Sequence, residues 1–242
     1  MQLWENAGLD CAGVYVNSKD SSGKAWLYTQ QNGKTICFGY GGAAETTIPD
    51  NIGSLREWAV ICPVLNQFTL PVLEKAICNK SKLVVTGICS IELLPYLKEL
   101  RVLIVNQYEA ENLIGHLGIN NIAGLSDFLK PVLVYVTYGS KGSKLFQNGE
   151  VHNIPVIREG KLCDVTGAGD AFTAGVVYGL MQGYEPVEAG YIGSCCSSYV
   201  IEKKGGQNGQ ADLKMVRHRL SRCAPEIAKK IRVVAGNDSV NE

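Results

Sequence analysis

The segment of this chain best suited to chemistry is DVTGAGDAF, at residues 164–172. The apolar residues that follow its glycines have helical spacing, which predicts a glycine-rich turn leading into the start of a helix. Such a turn points several backbone N–H groups at one place, and the helix dipole adds partial positive charge there, so a phosphate or a developing oxyanion would bind. Because the carboxylate of Asp170 would repel that anion, we interpret it as a general base that removes a proton from an attacking hydroxyl group.

The same segment also has a simpler interpretation, as an ordinary turn into a helix. Asp170 would then be an acidic residue in the first helical turn, which the dipole favours by about 0.3–1 kcal/mol. The order of the nine residues favours function, since it resembles the C-terminal signature of the ribokinase-like (PfkB) carbohydrate kinases, roughly D-T-x-G-A-G-D-x-F. The resemblance implies that Asp170 deprotonates the acceptor hydroxyl, and that Gly167, Ala168 and Gly169 form an anion hole for the transferring phosphoryl group.

Asn106 and Glu109 close a predicted strand and open a predicted helix. Taken alone, they favour a helix-capping pair, which contributes about 1 kcal/mol. The segment is also similar to the N-x-x-E motif of the same kinases, which implies that Asn106 approaches the nucleotide phosphates. It further implies that Glu109 organises Mg²⁺, largely through water. One carboxylate suffices for that role, because Mg²⁺ keeps several of its waters.

The sequence TYGSKG, at residues 137–142, follows the most apolar predicted strand. A turn into the next hairpin would explain its glycines. It also resembles the T-x-G-x-x-G segment that lines the nucleotide phosphates in these kinases. The resemblance implies that five of its residues contact ATP: Thr137, Gly139, Ser140, Lys141 and Gly142.

A glycine pair, Gly205 and Gly206, follows the helix that we expect to end near Val200. A helix stop alone would explain the pair. In the kinase family a similar segment borders the adenine pocket, which implies that both glycines contact the nucleotide. The resemblance also implies that Asp164 and this segment bound a site for a monovalent cation such as K⁺.

Composition excludes several classes of function. The 23 basic and 23 acidic residues balance, which argues against a protein that binds nucleic acid or a membrane surface. The nine cysteines form no C-x-x-C pair and there are only three histidines, so we expect reduced thiols and no zinc site. The start of the chain has no basic region followed by an apolar run, and no apolar stretch reaches about 18 residues. These features predict a cytoplasmic protein.

The predicted elements change in character along the chain. Short strands at 11–17, 25–30 and 35–40, with a tight hairpin turn at Asn32 and Gly33, come first. Strands then alternate with helices. The predicted strands are 58–61, 82–86, 103–106 and 132–138, with a hairpin of 143–147 and 151–156, and the predicted helices are 69–79, 90–97, 109–117, 169–181, 186–200 and 213–224. This alternation predicts a parallel sheet covered on both faces, with ligands outside the carboxyl ends of its strands.

The resemblance implies a single ribokinase-like domain over residues 1–242, with a three-layer α/β/α fold and a mostly parallel sheet. It also implies a small β lid within about 11–40, and we expect the polar tail at 233–242 to fray. The family's opening strand, whose Asp binds sugar hydroxyls, and its G-G-x-x-x-N motif have no counterpart here, so we expect an N-terminally truncated version of the fold. Lid strands often form dimers in the family, which makes residues 14–16 and 26–28 candidates for a homodimer contact.

Two classes of function follow. The first is an ATP- and Mg²⁺-dependent phosphotransferase that phosphorylates a hydroxymethyl group of a sugar or nucleoside. The second is a non-catalytic kinase-like module that binds a nucleotide or a partner chain. The unmatched opening segment favours the module, whereas Asp170 favours the enzyme, because nucleotide binding alone gains nothing from an acid beside a phosphate.

Overall fold

The structure, a computed structural model, describes residues 2–6, 8–29, 35–47 and 51–232. The chain forms two compact units, Met1–Leu83 and Val84–Glu242.

The first unit contains an antiparallel pair of strands. Its elements are α1 (Gln2–Asn6), β1 (Lys24–Thr29), β2 (Thr35–Tyr40), α2 (Ala43–Thr46), β3 (Trp58–Ile61) and α3 (Thr69–Cys78). Strands β1 and β2 pair with Trp26 opposite Phe38, which confirms two of the three short strands predicted for this part of the chain. The predicted strand at 11–17 is wrong, because this stretch forms a turn, with the Val14 N–H donating to the Cys11 carbonyl at 3.0 Å, and then unpaired chain. The predicted hairpin turn at Asn32 and Gly33 lies outside the described residues.

The second unit is built on a mixed sheet. Its strands are β4 (Lys82–Thr86, which starts in the first unit), β5 (Val102–Asn106), β6 (Leu133–Thr137), β7 (Ser143–Gln147) and β8 (Glu150–Ile154). They lie in the order β4-β5-β6-β7-β8, with β4, β5 and β6 parallel and the remaining pairs antiparallel. The four residues before Asn106 in β5, and the four before Thr137 in β6, are all buried. Such continuous apolar runs are typical of strands covered on both faces, which confirms the α/β expectation.

Helices connect and flank these strands. They are a 3₁₀ helix (Ile91–Glu99), α4 (Gln107–Leu117), α5 (Ile122–Phe128), a short 3₁₀ turn (Gly139–Lys141), α6 (Ala168–Met181), α7 (Pro186–Val200), α8 (Leu213–Cys223) and α9 (Pro225–Ala228). The predicted α-helix at 90–97 is a 3₁₀ helix, and it contains Pro95, which has no N–H to donate. The sequence analysis missed α5 and α9, as well as α1 and α2 in the first unit. Helix α5 begins after Asn121, whose side chain accepts a hydrogen bond from the Gly124 N–H at 2.9 Å.

Helices α6 and α7 approach each other closely through small residues. A Cβ built on Gly175 would lie 2.7 Å from the Cα of Gly193, and one on Gly179 would lie 2.8 Å from the Cα of Ala189. The backbones therefore touch at two successive turns. This contact fixes the start of α6, which carries the predicted anion hole, relative to α7.

Across the described ranges, we find no helix with the length and apolar character that crossing a membrane requires.

Candidate functional site

Two predicted motifs meet at one edge of the sheet. Asn106 ends β5 and Thr137 ends β6, and the two residues are register partners across these parallel strands. Thr137 also pairs with Ser143 on β7. The N-x-x-E and T-x-G-x-x-G segments therefore leave the sheet side by side at its carboxyl edge, where ligands of such sheets bind.

Asn106 and Glu109 form a complete capping box at the start of α4. The Asn106 side chain accepts from the Glu109 N–H at 2.9 Å, and the Glu109 carboxylate accepts from the Asn106 N–H at 2.8 Å. The simpler interpretation of the pair is thus present in the structure. Glu109 remains half-buried at this edge. The described part of the chain contains no group of three or more His, Cys, Asp or Glu side chains that could hold a metal ion.

The turn after β6 is tight and closed by its own backbone. The Tyr138 N–H donates to the Gly142 carbonyl at 2.8 Å, and the Gly142 N–H donates to the Gly139 carbonyl at 3.1 Å. The structure therefore contains the turn into the next hairpin that was the simpler interpretation of this segment. Lys141 is exposed on this turn.

Asp164 organises the segment that enters α6. Its two carboxylate oxygens accept from the backbone N–H groups of Thr166 and of Gly205, each at 2.9 Å. These two hydrogen bonds lower the pKa of Asp164 to about 2, and the bond from the Thr166 N–H has the larger effect. The N–H groups of Cys163 and Asp164 donate in turn to the carbonyl of Ile201, at 2.8 and 3.2 Å. The loop before α6 is thus tied to the end of α7.

The glycine pair after α7 lies against the glycine that begins the α6 turn. Gly167 is the N-cap of α6 with φ 80°, and a Cβ on it would lie 2.7 Å from the carbonyl oxygen of Gly206. Four predicted site residues, Asp164, Gly167, Gly205 and Gly206, therefore form one cluster.

A cavity of about 490 Å³ lies between the turn after β6 and the start of α6. Six predicted residues line it: Thr137, Gly139, Ser140, Gly142, Ala168 and Gly169. Eight predicted residues, all of them described, are not in the lining: Asn106, Glu109, Lys141, Asp164, Gly167, Asp170, Gly205 and Gly206. The cavity thus joins the predicted phosphate turn to two of the three predicted anion-hole residues.

Asp170 lies in the first turn of α6 and is exposed. It directly follows Gly169, and Phe172, two residues later, lines the same cavity. Its chain neighbour Gly169 thus lines the cavity, whereas Asp170 itself is not among the lining residues.

Sequence reasoning missed the face of α7 that lines the cavity. Ser194, Ser197, Ser198 and Ile201 recur there at helical spacing. The Ser194 hydroxyl donates to the Pro155 carbonyl at 2.7 Å, and the Ser197 hydroxyl donates to the Ala168 carbonyl at 2.6 Å. The spacing is visible in the sequence, but these partners are 39 and 29 residues away, so only the fold reveals them.

The rest of the lining that the sequence analysis missed is largely apolar. It includes Val156, Leu162 and Val165, together with the charged Arg158. These residues come from the irregular segment between β8 and α6. Their place in the lining follows from the path of that segment in the folded chain, which the sequence does not reveal.

Comparisons with known proteins agree with this architecture. The pfkB family carbohydrate kinase profile matches residues 1–213. A nucleoside kinase of Methanocaldococcus jannaschii is 29% identical over 230 residues, covering 90% of this chain and 73% of that protein. The crystal structure of the nucleoside kinase from this organism has a TM-score of 0.78 at 28% identity, covering 91% of this chain and 75% of that one.

Two further solved structures share the fold at lower identity. A Burkholderia thailandensis nucleoside kinase in complex with inosine has a TM-score of 0.82 at 19% identity, covering 93% of this chain and 75% of that one. A Cryptococcus neoformans ribokinase in complex with ADP has a TM-score of 0.77 at 21% identity, covering 90% of this chain and 78% of that one. With the family profile matching most of its length, this chain belongs to the PfkB family of carbohydrate kinases.

Proposed function

We propose that this kinase transfers the terminal phosphoryl group of ATP to a hydroxymethyl group of a nucleoside or sugar. One observation carries the proposal: the cavity joins the glycine turn after β6 to the amino-terminal end of α6. A nucleoside is the first acceptor to test, because the nucleoside kinase of Methanocaldococcus jannaschii resembles this chain over most of both sequences.

The cavity suits a nucleotide in size and chemistry. Its volume of about 490 Å³ lies in the range of small-molecule sites. The apolar side chains of Val156, Leu162 and Val165 suit the faces of a base. Among the other lining residues, Gly139 and Gly169 leave the backbone accessible to phosphates, and the helix dipole of α6 favours negative charge.

Asp170 is the general base of the proposed reaction. Its carboxylate accepts the proton of the acceptor hydroxyl as the oxygen of that hydroxyl attacks the terminal phosphorus, and ADP leaves. The N–H groups of residues 167–169 stabilise the charge on the transferring group. Positioned donors of this kind supply much of the rate enhancement in phosphoryl transfer.

The donor set fits a magnesium ion that is held mainly by water and phosphate. Glu109 is the carboxylate at the sheet edge and would contact the ion through water, and Asn106 lies beside it. When bound, Mg²⁺ neutralises charge on the phosphates. Asp164 would border a monovalent cation; its low pKa keeps it ionised at neutral pH.

A homodimer through the lid strands is part of the proposal. Trp26, Tyr28 and Phe38 on β1 and β2 are 51%, 61% and 58% exposed, which is unusual for large apolar side chains. A second copy of the chain would cover them. Analytical ultracentrifugation of the chain and of its Trp26→Lys variant tests this; a monomeric parent chain would contradict it.

The kinase assignment itself is tested by turnover. The purified chain is incubated with ATP, Mg²⁺ and a panel of nucleosides and sugars, and both ADP and the phosphorylated product are measured. We expect ADP formation that depends on at least one nucleoside or sugar. Binding of ATP without acceptor-dependent turnover across the whole panel would contradict the proposal.

A further inference from the structure

Ser197 connects α7 to the predicted anion hole by a single short hydrogen bond. It lies in the last two turns of α7 and lines the cavity. Its hydroxyl donates to the carbonyl oxygen of Ala168 at 2.6 Å. Ala168 is the first residue of α6, so this contact bridges two helices at the point where one of them begins.

The bond controls the direction of a neighbouring N–H group. The carbonyl of Ala168 and the N–H of Gly169 belong to one peptide unit, which is trans. In a trans peptide these two groups lie in one plane and point in opposite directions. By holding the carbonyl, Ser197 adds to the helical geometry of α6 in directing the Gly169 N–H, which points away from α7.

The same bond changes the strength of that donor. A hydrogen bond to an amide oxygen polarises the whole peptide unit and makes its N–H a better donor. Gly169 lines the cavity and belongs to the predicted anion hole. The Ser197 hydroxyl is thus placed to orient and to strengthen one of the donors that would hold phosphoryl charge.

Further contacts hold α7 in place near Ser197. The backbones of α6 and α7 touch where Gly175 meets Gly193, one turn of α7 before Ser197. On the same face, the Ser194 hydroxyl donates to the Pro155 carbonyl at 2.7 Å and accepts from the Ile157 N–H at 3.2 Å. Helix α7 therefore holds two walls of the cavity with hydroxyl groups: Ser194 binds the segment after β8, and Ser197 binds the start of α6.

We infer that Ser197 is a positioning residue for phosphoryl transfer, which acts by orienting and polarising the Ala168–Gly169 peptide unit. The inference rests on the proposed function, because it assigns the Gly169 N–H to the transferring phosphoryl group. It adds a residue that makes no direct contact with the reacting atoms.

The test compares three substitutions. Ser197→Ala removes the donor, Ser197→Thr keeps a hydroxyl, and Ser221→Ala is the matched control. Ser221 lies on α8 outside the cavity lining, and its hydroxyl donates to the His218 carbonyl at 2.7 Å. The control therefore removes a serine-to-carbonyl hydrogen bond of similar length, made within one helix, at a site that the reaction does not use.

Steady-state kinetics give the first measurement. Misdirecting one donor should lower kcat of Ser197→Ala about tenfold, less than the loss seen when a donor is removed entirely. The KM for ATP should stay within about twofold, because the orientation matters most when charge develops on the transferring group. Ser197→Thr should recover most of kcat. A variant that loses thermal stability but keeps kcat would show a purely structural bond and overturn the inference.

The Gly169 amide gives a second measurement that needs no turnover. In ¹H–¹⁵N spectra of the protein without nucleotide, Ser197→Ala should move the Gly169 resonance upfield, and Ser221→Ala should leave it in place. An unmoved Gly169 resonance would overturn the inference. If the wild-type chain phosphorylates no acceptor, the proposed function fails, whereas the Gly169 resonance still reports whether Ser197 controls this peptide unit.

Discussion

Gly167 and Gly206 meet backbone to backbone, at a distance that leaves no room for a side chain on Gly167. A Cβ on Gly167 would lie 2.7 Å from the Gly206 carbonyl oxygen and 2.8 Å from its Cα. The contact therefore requires glycine at position 167, whereas a Cβ on Gly206 would meet the Thr166 side chain at 3.3 Å and the Gly167 Cα at 3.5 Å. The contact positions the turn that begins α6.

Gly167→Ala should disturb both the fold and the site. A left-handed residue with a Cβ costs about 1–2 kcal/mol, and the clash with the Gly206 backbone must move one of the two segments as well. We expect a loss of at least that stability and a several-fold higher KM for ATP. Urea denaturation and steady-state kinetics measure the two effects.

Gly183→Ala is the control for strain without a clash. Gly183 has φ 78°, similar to the 80° of Gly167, but a Cβ there meets nothing within 4 Å. It should lose stability by the strain alone and keep the KM for ATP. Equal effects of the two substitutions on that KM would contradict a specific role for the Gly167–Gly206 contact.

Arg219 and Glu202 form a buried ion pair that should dominate the response to single substitutions. Two Arg219 nitrogens donate to the two Glu202 oxygens, each at 2.9 Å, and the side chains are 6% and 16% exposed. Burial alone would raise the pKa of Glu202, but the Arg219 guanidinium and the Gly160 N–H hold it below its usual value. Arg219→Met should cost about 3–5 kcal/mol, because it leaves the buried carboxylate without its partner.

A double substitution separates the charge from the volume. Arg219→Met combined with Glu202→Leu removes both charges and should recover most of the lost stability. Arg217→Met, at an exposed position on the same helix, should change stability by less than about 0.5 kcal/mol. A double variant as unstable as Arg219→Met would show that the packing of these side chains, and not the unpaired charge, carries the effect. Urea denaturation measures all three variants.

Two Gly→Ala substitutions, one inside the contact between α6 and α7 and one on an open helix face, should change stability in opposite directions. Gly175→Ala places a methyl group 2.7 Å from the Gly193 Cα and should destabilise the protein by about 1–3 kcal/mol. Gly115→Ala, within α4 and with nothing within 4 Å of its Cβ, should stabilise it by about 0.5–1 kcal/mol through helix propensity. Thermal denaturation distinguishes them by sign. A stabilising Gly175→Ala would show that the helices separate at little cost.

Asp164 predicts how stability depends on pH. Its pKa in the folded chain is about 2, below the ordinary 3.8, so its contribution is fully present above about pH 4 and disappears as the pH falls towards 2. Asp164→Asn should remove this contribution, because its NH₂ group would face one of the two N–H donors. The stability difference between parent and variant should shrink between pH 4 and 2 in denaturation experiments. A difference that is constant across this range would contradict the assignment.

The sequence predicted the parts of the site that depend on local order. The strand end at Asn106 and the glycine turn before α6 follow from apolar runs and glycine placement, and the structure confirms them. The strand predicted to end at Tyr138 ends one residue earlier, at Thr137. Predictions of secondary structure from local sequence failed where the rest of the fold determines the conformation. The β-branched residues at 11–17 have no strand partner, and Pro95 turns an expected α-helix into a 3₁₀ helix.

The contacts made at long range could not be predicted. The sequence shows Ser197 only as a polar residue on a predicted helix. The carbonyl that accepts its hydrogen bond belongs to Ala168, 29 residues away. The same holds for the hydrogen bond from the Gly205 N–H to the Asp164 carboxylate, whose two residues are 41 positions apart. The family resemblance placed Asp164, Gly205 and Gly206 near the nucleotide, but only the fold shows which backbone groups they bind.

The central claim is that Asp170 removes the proton of the acceptor hydroxyl, and Asp170→Asn tests it most directly. Asparagine keeps the shape of the side chain but is not a base, so kcat should fall by about 10²–10⁴-fold. The affinity for ATP, measured by calorimetry, should be essentially unchanged. A variant that retains the parent kcat with the acceptor found in the turnover panel would contradict the account.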